Sequence, residues 1–395
     1  MMENAGSLRE VFTAFLKLGL TSFGGPVAHI GYFRDEFVLR RKWLGDAAFA
    51  EYIALCQFLP GPASSQLGFV LGMVRGGGLA GGLAAWVGFT LPSALLMLAF
   101  AYGAASLAGP VGAGLLHGLK LVAVSIVAQA VFGMARTLTP DLTRAAIAIA
   151  ACAAALLLDN AAMQMVLIAA GGLLGMLLCR GDALKQVSVP GFGFSRRHGL
   201  VALALFGLLL VVPAALRPGP DSLLFMFDAF YRSGALVFGG GHVVLPLLQS
   251  AFVDTGLVNG EAFIAGYGAA QAVPGPLFTF AAYLGAVAGQ PPAGVAGSMV
   301  GLVAIFLPGL LLVYGTLPFW RGVRGSPLAQ AGMKGANAAV VGLLAAAFYS
   351  PVWTTAVLGP LDIALAAAGF LALVVLKAPS WSIVVALALA GVAFY

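Results

Sequence analysis

The chain has 395 residues, of which 61% are hydrophobic and only 9% charged, with a mean hydropathy of +1.01 and a formal net charge of +6. Such a composition cannot present a polar surface to water, so lipid must be the solvent for most of the molecule. Its cations are spread over short loops and apolar segments and form no single basic patch, which argues against nucleic acid as a partner.

Apolar runs recur along the whole chain as about 13 hydrophobic segments, judged against the ~20 helical residues that cross a ~30 Å hydrocarbon core. They are rich in Ala, Leu and Gly and lack period-2 alternation, which favours helices over an outer-membrane barrel. The expected fold class is an all-α polytopic membrane protein. Met1–Glu10 has mixed charge and no small-residue cleavage site, so the first segment is expected to remain in the mature chain. Cys56, Cys152 and Cys179 are scattered, without CxxC spacing or clustered His or acidic partners, so no disulfide, metal site or nucleophile is expected. No cofactor is implied. With no ATP-binding loop and no catalytic constellation, the chain does not read as an enzyme.

In chain order, the first landmark is Phe15-Leu-Lys-Leu-Gly19-Leu-Thr-Ser-Phe23-Gly24-Gly25, which returns as Phe230-Tyr-Arg-Ser-Gly234-Ala-Leu-Val-Phe238-Gly239-Gly240. Next, Gln57-Phe-Leu-Pro60-Gly61-Pro62 returns as Gln271-Ala-Val-Pro274-Gly275-Pro276. Leu91-Pro92 then matches Leu307-Pro308, and Gly118-Leu-Lys120 matches Gly332-Met-Lys334. The offset stays at 214 to 216 residues throughout, so the chain is two copies of one unit. Residues 1–178 form the first copy, 179–221 a cytoplasmic linker with a connecting span, Leu200 to Leu216, and 222–395 the second copy.

Loop charge orients the copies, because Lys and Arg stay on the cytoplasmic side. Arg34, Arg40, Arg41 and Lys42 follow the first Phe-Gly-Gly, whereas Leu247 to Ala262 in the second copy has no Lys or Arg. Later the asymmetry reverses: Ala104 to Gly112 is uncharged, while its counterpart holds Arg321 and Arg324. Together these predict inverted-topology repeats, the arrangement of many secondary transporters. The linker, with Arg180, Lys185, Arg196 and Arg197, is expected in the cytoplasm.

Pro removes a backbone N–H and paired glycines admit left-handed dihedrals, so Phe-Gly-Gly and Pro-Gly-Pro predict broken or re-entrant helices. At membrane depth such breaks survive only inside protein or beside a watered cavity, which marks Gly24, Gly25, Pro60, Gly61, Gly239, Gly240, Pro274 and Gly275 as candidate substrate-binding positions. For Arg34 to Lys42 and Arg75 to share one side, the intervening segment must return to the side it entered. Lys17, Lys120, Arg232 and Lys334 sit in apolar context as two repeat-related pairs with no recurring acid beside them. A dianionic substrate is therefore a candidate counter-ion, held by cations and freed amides, and snorkelling is the alternative. Gln57 and Gln271 recur and can donate to an oxyanion or tie down the broken backbone. Glu51, His29 and His242 are the proton-coupling candidates, and His117 reads as structural.

Phe23-Gly-Gly-Pro-Val-Ala-His29, Gln57-Phe-Leu-Pro-Gly-Pro62, Phe238-Gly-Gly-Gly-His-Val-Val-Leu-Pro246 and Pro274-Gly-Pro-Leu-Phe-Thr-Phe-Ala-Ala-Tyr-Leu-Gly285 resemble the motifs of long-chain, two-domain chromate transporters. The resemblance covers nearly the whole chain. It implies a multi-pass inner-membrane protein that expels chromate using the proton motive force, with sulfate as the look-alike ion. Another oxyanion, or an anion channel, is the alternative it leaves open. A homodimer is compatible with this reading, and oligomeric state is otherwise undetermined.

Overall fold

The computed structural model describes residues 6–104, 109–158, 161–179, 195–216, 218–219, 222–238, 241–289, 292–320, 322 and 326–395. Elements among these are helical. Arg180, Lys185, Arg321, Arg324, Gly239 and Gly240 lie outside the described residues.

The first copy opens with α1 (Leu8–Thr21), started by Ser7, whose side chain accepts from the Glu10 N–H. It stops at Ser22 because Gly24 and Gly25 take φ of 98° and 77°, a left-handed conformation open to glycine. The chain turns into α2 (Gly25–Phe33), which continues through a widened π turn, Arg34–Arg40. Then α3 (Asp46–Phe58) is cut by Pro60-Gly61-Pro62, with Gly61 at φ 122°, and α4 (Ala63–Gly76) begins. At 1.5 Å per residue, the 13 residues of α3 and the 14 each of α1 and α4 are too short to span the hydrocarbon core. Instead the helices double back in pairs. Arg75, at the end of α4, reaches Glu10 at the start of α1 at 3.1 Å, the Gly6 N–H donates to the Arg75 carbonyl at 2.8 Å, and Arg34 meets Asp46 at 2.8 Å. All four helices therefore open towards one end.

Longer helices frame these hairpins: α5 (Leu79–Ala104) and α6 (Pro110–Leu138), followed by the shorter α7 (Leu142–Leu157) and α8 (Ala161–Leu178). The connecting helix α9 (Arg196–Leu216) exposes Leu200, Val201, Leu208 and Val211, an apolar surface suited to lipid. In the second copy, α10 (Leu223–Ala235) and α11 (Val244–Phe252) form one hairpin, and α12 (Gly260–Ala270) and α13 (Phe280–Val287) the other. Their open ends join where the Gly289 N–H donates to the Leu257 carbonyl at 2.9 Å. Beyond Gly289 the chain enters α14 (Gly294–Thr316), and a Cβ built on Gly294 would stand 2.8 Å from the Tyr102 hydroxyl, at the far end of α5. At the other end of α5, a Cβ on Gly76 would stand 2.6 Å from Gly81 Cα. The first copy's hairpins thus open at the Leu79 end of α5 and the second copy's at the Tyr102 end.

The remaining helices are α15 (Pro327–Ala347), α16 (Pro360–Val374) and α17 (Ser380–Phe394), and they exchange partners between copies. Helix α6 packs on α16 and α17, while α15 packs on α7 and α8. Glycines permit the approach: a Cβ on Gly114 would stand 2.6 Å from the Gly391 carbonyl, and one on Gly171 would stand 2.8 Å from that of Gly335. Small-residue contact of this kind drives helix association where lipid removes the hydrophobic incentive. Among the described residues, five helical stretches are long and apolar enough to cross a bilayer, Leu79–Gly103, Pro110–Leu138, Arg196–Leu216, Gly294–Phe319 and Pro327–Ala356, and the shorter apolar helices belong to hairpins or to the exchanged bundle.

Candidate functional site

Each copy's Pro-Gly-Pro is tied to the stretch that leads into the other copy's Phe-Gly-Gly. The Gly61 N–H donates to the Val237 carbonyl at 2.7 Å, and the Gly275 N–H donates to the Ser22 carbonyl at 2.8 Å. Ser22 and Val237 are repeat mates, as are Gly61 and Gly275, so the exchange is reciprocal. Gly275 also adopts φ 100°. Both prolyl-glycyl turns press against the kinked long helices: a Cβ on Gly61 would stand 3.0 Å from Gly309 Cα, and one on Gly275 would stand 2.9 Å from Ser93 Oγ. Pro92 and Pro308 lie inside α5 and α14 immediately before Ser93 and Gly309. Gly61 and Gly275 are thereby buried in protein, as non-helical peptide groups in a membrane require.

Around these turns the first copy is polar. His29 Nδ1 lies 3.3 Å from Ser64 Oγ, its ring stands edge-on to Phe89 at 5.2 Å, and Gln66 Nε2 donates to the carbonyls of Pro60 at 2.9 Å and Gly309 at 3.1 Å. Ser22, His29, Ser64, Ser65, Gln66 and Thr90 are each at most 3% exposed. Yet Ser22 Oγ, His29 Nε2, Ser65 Oγ and Thr90 Oγ1 have no hydrogen-bond partner among the described residues. A buried polar group left unpaired costs about 1–3 kcal/mol, so four together are a substantial destabilisation. Reading the sequence missed Ser22, Ser64, Ser65, Gln66 and Thr90, because attention to what the two copies share passes over what one copy has alone.

The apolar-context cations behave differently from expectation: three of the four have acid partners. Lys17, with a side chain 56% exposed, lies 3.9 Å from Glu36, which also bonds Arg40 and Arg41; Lys120 lies 3.7 Å from Glu261; and Arg232 Nε is 2.8 Å from Asp228. The acids escaped notice because none occupies a repeat-equivalent position: Asp228 is one turn upstream on the same helix, and Glu36 and Glu261 come from neighbouring elements. Lys334 forms no ion pair among the described residues and lies within electrostatic reach of Cys179, beside Asp141 and Arg144. With neighbours this different, the structure does not gather the four cations into one cluster.

Of the proton-coupling candidates, Glu51 is buried, with Trp320 Nε1 at 3.5 Å; His29 faces Ser64, and His242 Nδ1 is 2.7 Å from the Tyr267 hydroxyl. Gln57 is exposed and Gln271 half-buried. His117 Nε2 is 2.7 Å from Asp362 Oδ1. Two adjoining cavities of about 240 and 160 Å³ share Gln164 and Ser250, and Arg232 and Asp228 line the larger.

The family model described as chromate transporter matches residues 9–176 and 224–392. A probable chromate transport protein of Synechococcus elongatus is 30% identical over 348 residues, covering 87% of this chain and 84% of the relative. A chromate transport protein of Pseudomonas aeruginosa is 30% identical over 350 residues, covering 86% and 80%, and one of Cupriavidus metallidurans is 26% identical over 346 residues, covering 86% and 82%. No solved structure matches the chain.

Proposed function

This chain belongs to the chromate transporter family, a multi-pass membrane protein and not an enzyme, and from that premise we propose that it is a secondary transporter exporting chromate across the inner membrane, driven by the proton motive force. The observation that carries this reading is the reciprocal bonding of Gly61 to Val237 and Gly275 to Ser22. It ties broken helices of the two halves together, where helix N-termini and amides favour an anion. Gly24, Gly25, Pro60, Gly61, Pro274 and Gly275 form the proposed binding locus, with Gln57 and Gln271 beside it. Chromate and sulfate share charge and tetrahedral shape, so sulfate is the expected competitor. Lys17, Lys120 and Arg232 would meet the ion only by exchanging their acid partners, whereas Lys334 needs no exchange. Glu51 is the proposed proton carrier, as a buried carboxylate near the breaks.

Inverted vesicles carrying the protein are expected to accumulate labelled chromate, with saturation, competition by sulfate and collapse when a protonophore dissipates the gradient. Saturable uptake indifferent to the protonophore would reject proton coupling, and non-saturating flux would favour a channel.

We further propose that 1–178 and 222–395 are inverted copies joined by 179–221. The opening of their hairpins at opposite ends of α5, together with the loop charges, supports this. Ala47→Cys and Thr255→Cys, both at exposed positions, should then react with a membrane-impermeant maleimide from opposite faces of the cell, in a background lacking Cys56, Cys152 and Cys179. Reaction of both from the same face would contradict inversion.

A further inference from the structure

Four of the buried polar atoms without a partner among the described residues, on Ser22, His29, Ser65 and Thr90, belong to the first copy. The register of the repeat pairs Ser22 with Val237, Ser64 with Phe278, Gln66 with Phe280 and Thr90 with Phe306, all apolar in the second copy. Ser65 pairs with Thr279, and there too the copies differ: Thr279 Oγ1 donates to the Pro276 carbonyl at 2.9 Å, whereas Ser65 Oγ has no partner among the described residues. Two halves that keep the same breaks therefore surround them with different chemistry.

The residues that carry these groups are linked through their neighbours. Ser22 carries the carbonyl that receives the Gly275 N–H; Gly275 presses on Ser93 and on the Phe89 carbonyl; Ser93 Oγ donates to the Thr90 carbonyl; and Phe89 packs against His29, which faces Ser64. Ser64 and Ser65 occupy the first turn of the 14-residue α4, whose leading N–H groups have no intrahelical acceptor and whose dipole is positive at that end. The Gly24-Gly25 turn lies between Ser22 and His29, and a Cβ on Gly25 would meet nothing within 4 Å, so there is open space at this turn.

We propose that Ser22, Ser65, Thr90 and His29, with the N-terminus of α4, form an asymmetric oxyanion site supplied by the first copy alone, taking a tetrahedral dianion through hydroxyl, imidazole and amide donors. This rests on the reading of the chain as an oxyanion transporter. The donors suit the ligand: a tetrahedral oxyanion only accepts hydrogen bonds, and it accepts them over its whole surface, so hydroxyls that rotate to suit it complement it better than one fixed cation. An unpaired hydroxyl is a poor stabiliser of the empty protein and a good donor to the occupied one. Selection for stability alone would have placed Val or Phe here, as in the second copy.

The test is binding of chromate and of sulfate to the purified full chain in detergent, read as ligand-induced thermal stabilisation, for wild type, Ser22→Ala, Ser65→Ala, Thr90→Val, Thr90→Ser and a distant control, Ser125→Ala. Ser125 Oγ is already bonded to the Leu121 and Ala366 carbonyls. Each hydroxyl deletion is expected to weaken both oxyanions about tenfold or more without lowering the midpoint of the ligand-free protein. Thr90→Ser should keep wild-type affinity, and Ser125→Ala should lower the midpoint with affinity unchanged. Wild-type affinity in the three deletions would overturn the proposal and assign the groups to bound water. Loss of ligand-free stability in proportion to affinity would overturn it in favour of a structural role. Wild-type protein that binds neither oxyanion would refute the transport reading itself, a result distinguishable from either.

Discussion

Gly61→Leu and Gly275→Leu are each expected to reduce chromate transport roughly hundredfold or more while leaving the protein inserted, because a misplacement of ~1 Å at a binding centre has effects of that order. Both residues hold φ values, 122° and 100°, that a branched side chain resists. Both also lack room: the first Cβ atom alone would stand 3.0 Å from Gly309 Cα or 2.9 Å from Ser93 Oγ. Relieving either contact must move the turn, and the turn carries the N–H that bonds the other copy at Val237 or Ser22. One substitution therefore disturbs both halves. Gly207→Leu is the control, since a Cβ there meets nothing within 4 Å on the connecting helix. Initial rates in inverted vesicles, normalised to inserted protein, decide the matter. Wild-type rates in both turn variants would show the breaks to be incidental kinks.

Asp362→Ala is expected to destabilise the protein by about 3–5 kcal/mol, the range for removing one member of a buried charged network. Its carboxylate is 1% exposed and accepts from His117, from the Tyr395 hydroxyl, and from the N–H groups of Leu358 at 2.8 Å and Gly359 at 3.0 Å. Alanine would leave all four unpaired, among them a His on a helix of the first copy and the last residue of the second. Asp362→Asn keeps an acceptor for the backbone and should cost less. Thermal unfolding in detergent measures it, with a midpoint lowered by roughly 5 °C or more for the alanine variant. An unchanged midpoint would mean that the network does not hold the copies together.

The breaks were legible because Gly and Pro act through backbone geometry, which needs no knowledge of neighbours. Every described helix end expected at Phe-Gly-Gly or Pro-Gly-Pro is found there, and Gly24, Gly25, Gly61 and Gly275 have positive φ. The common end of the first four helices was legible from Arg34 and Arg75, whose partners Asp46 and Glu10 lie at the facing helix ends. Ion pairing was not, since Glu36 and Glu261 reach Lys17 and Lys120 across tertiary contacts that no periodicity encodes. The polar patch was hidden for another reason: Ser and Thr in a membrane helix ordinarily bond the preceding turn, as Ser125 does to Leu121, so their presence alone says nothing. Only the absence of such bonds at Ser22, Ser65 and Thr90 sets these apart, and that is a property of the folded chain.

The exchange of bundle helices between copies also sets a timetable. Helix α6 is complete when Leu138 is made, yet its partner α17 begins at Ser380, roughly 240 residues later; at about 5–20 residues per second that is a wait of roughly 10–50 s on the ribosome. Throughout it, the glycine face at Gly114 and Gly118 has nothing to lie against, and Lys120 and His117 face whatever the insertion machinery offers in place of Glu261 and Asp362. The first half of this protein is thus synthesised first but finished last. A nonsense codon just before Ser380 would remove a wall of the half that was made at the beginning.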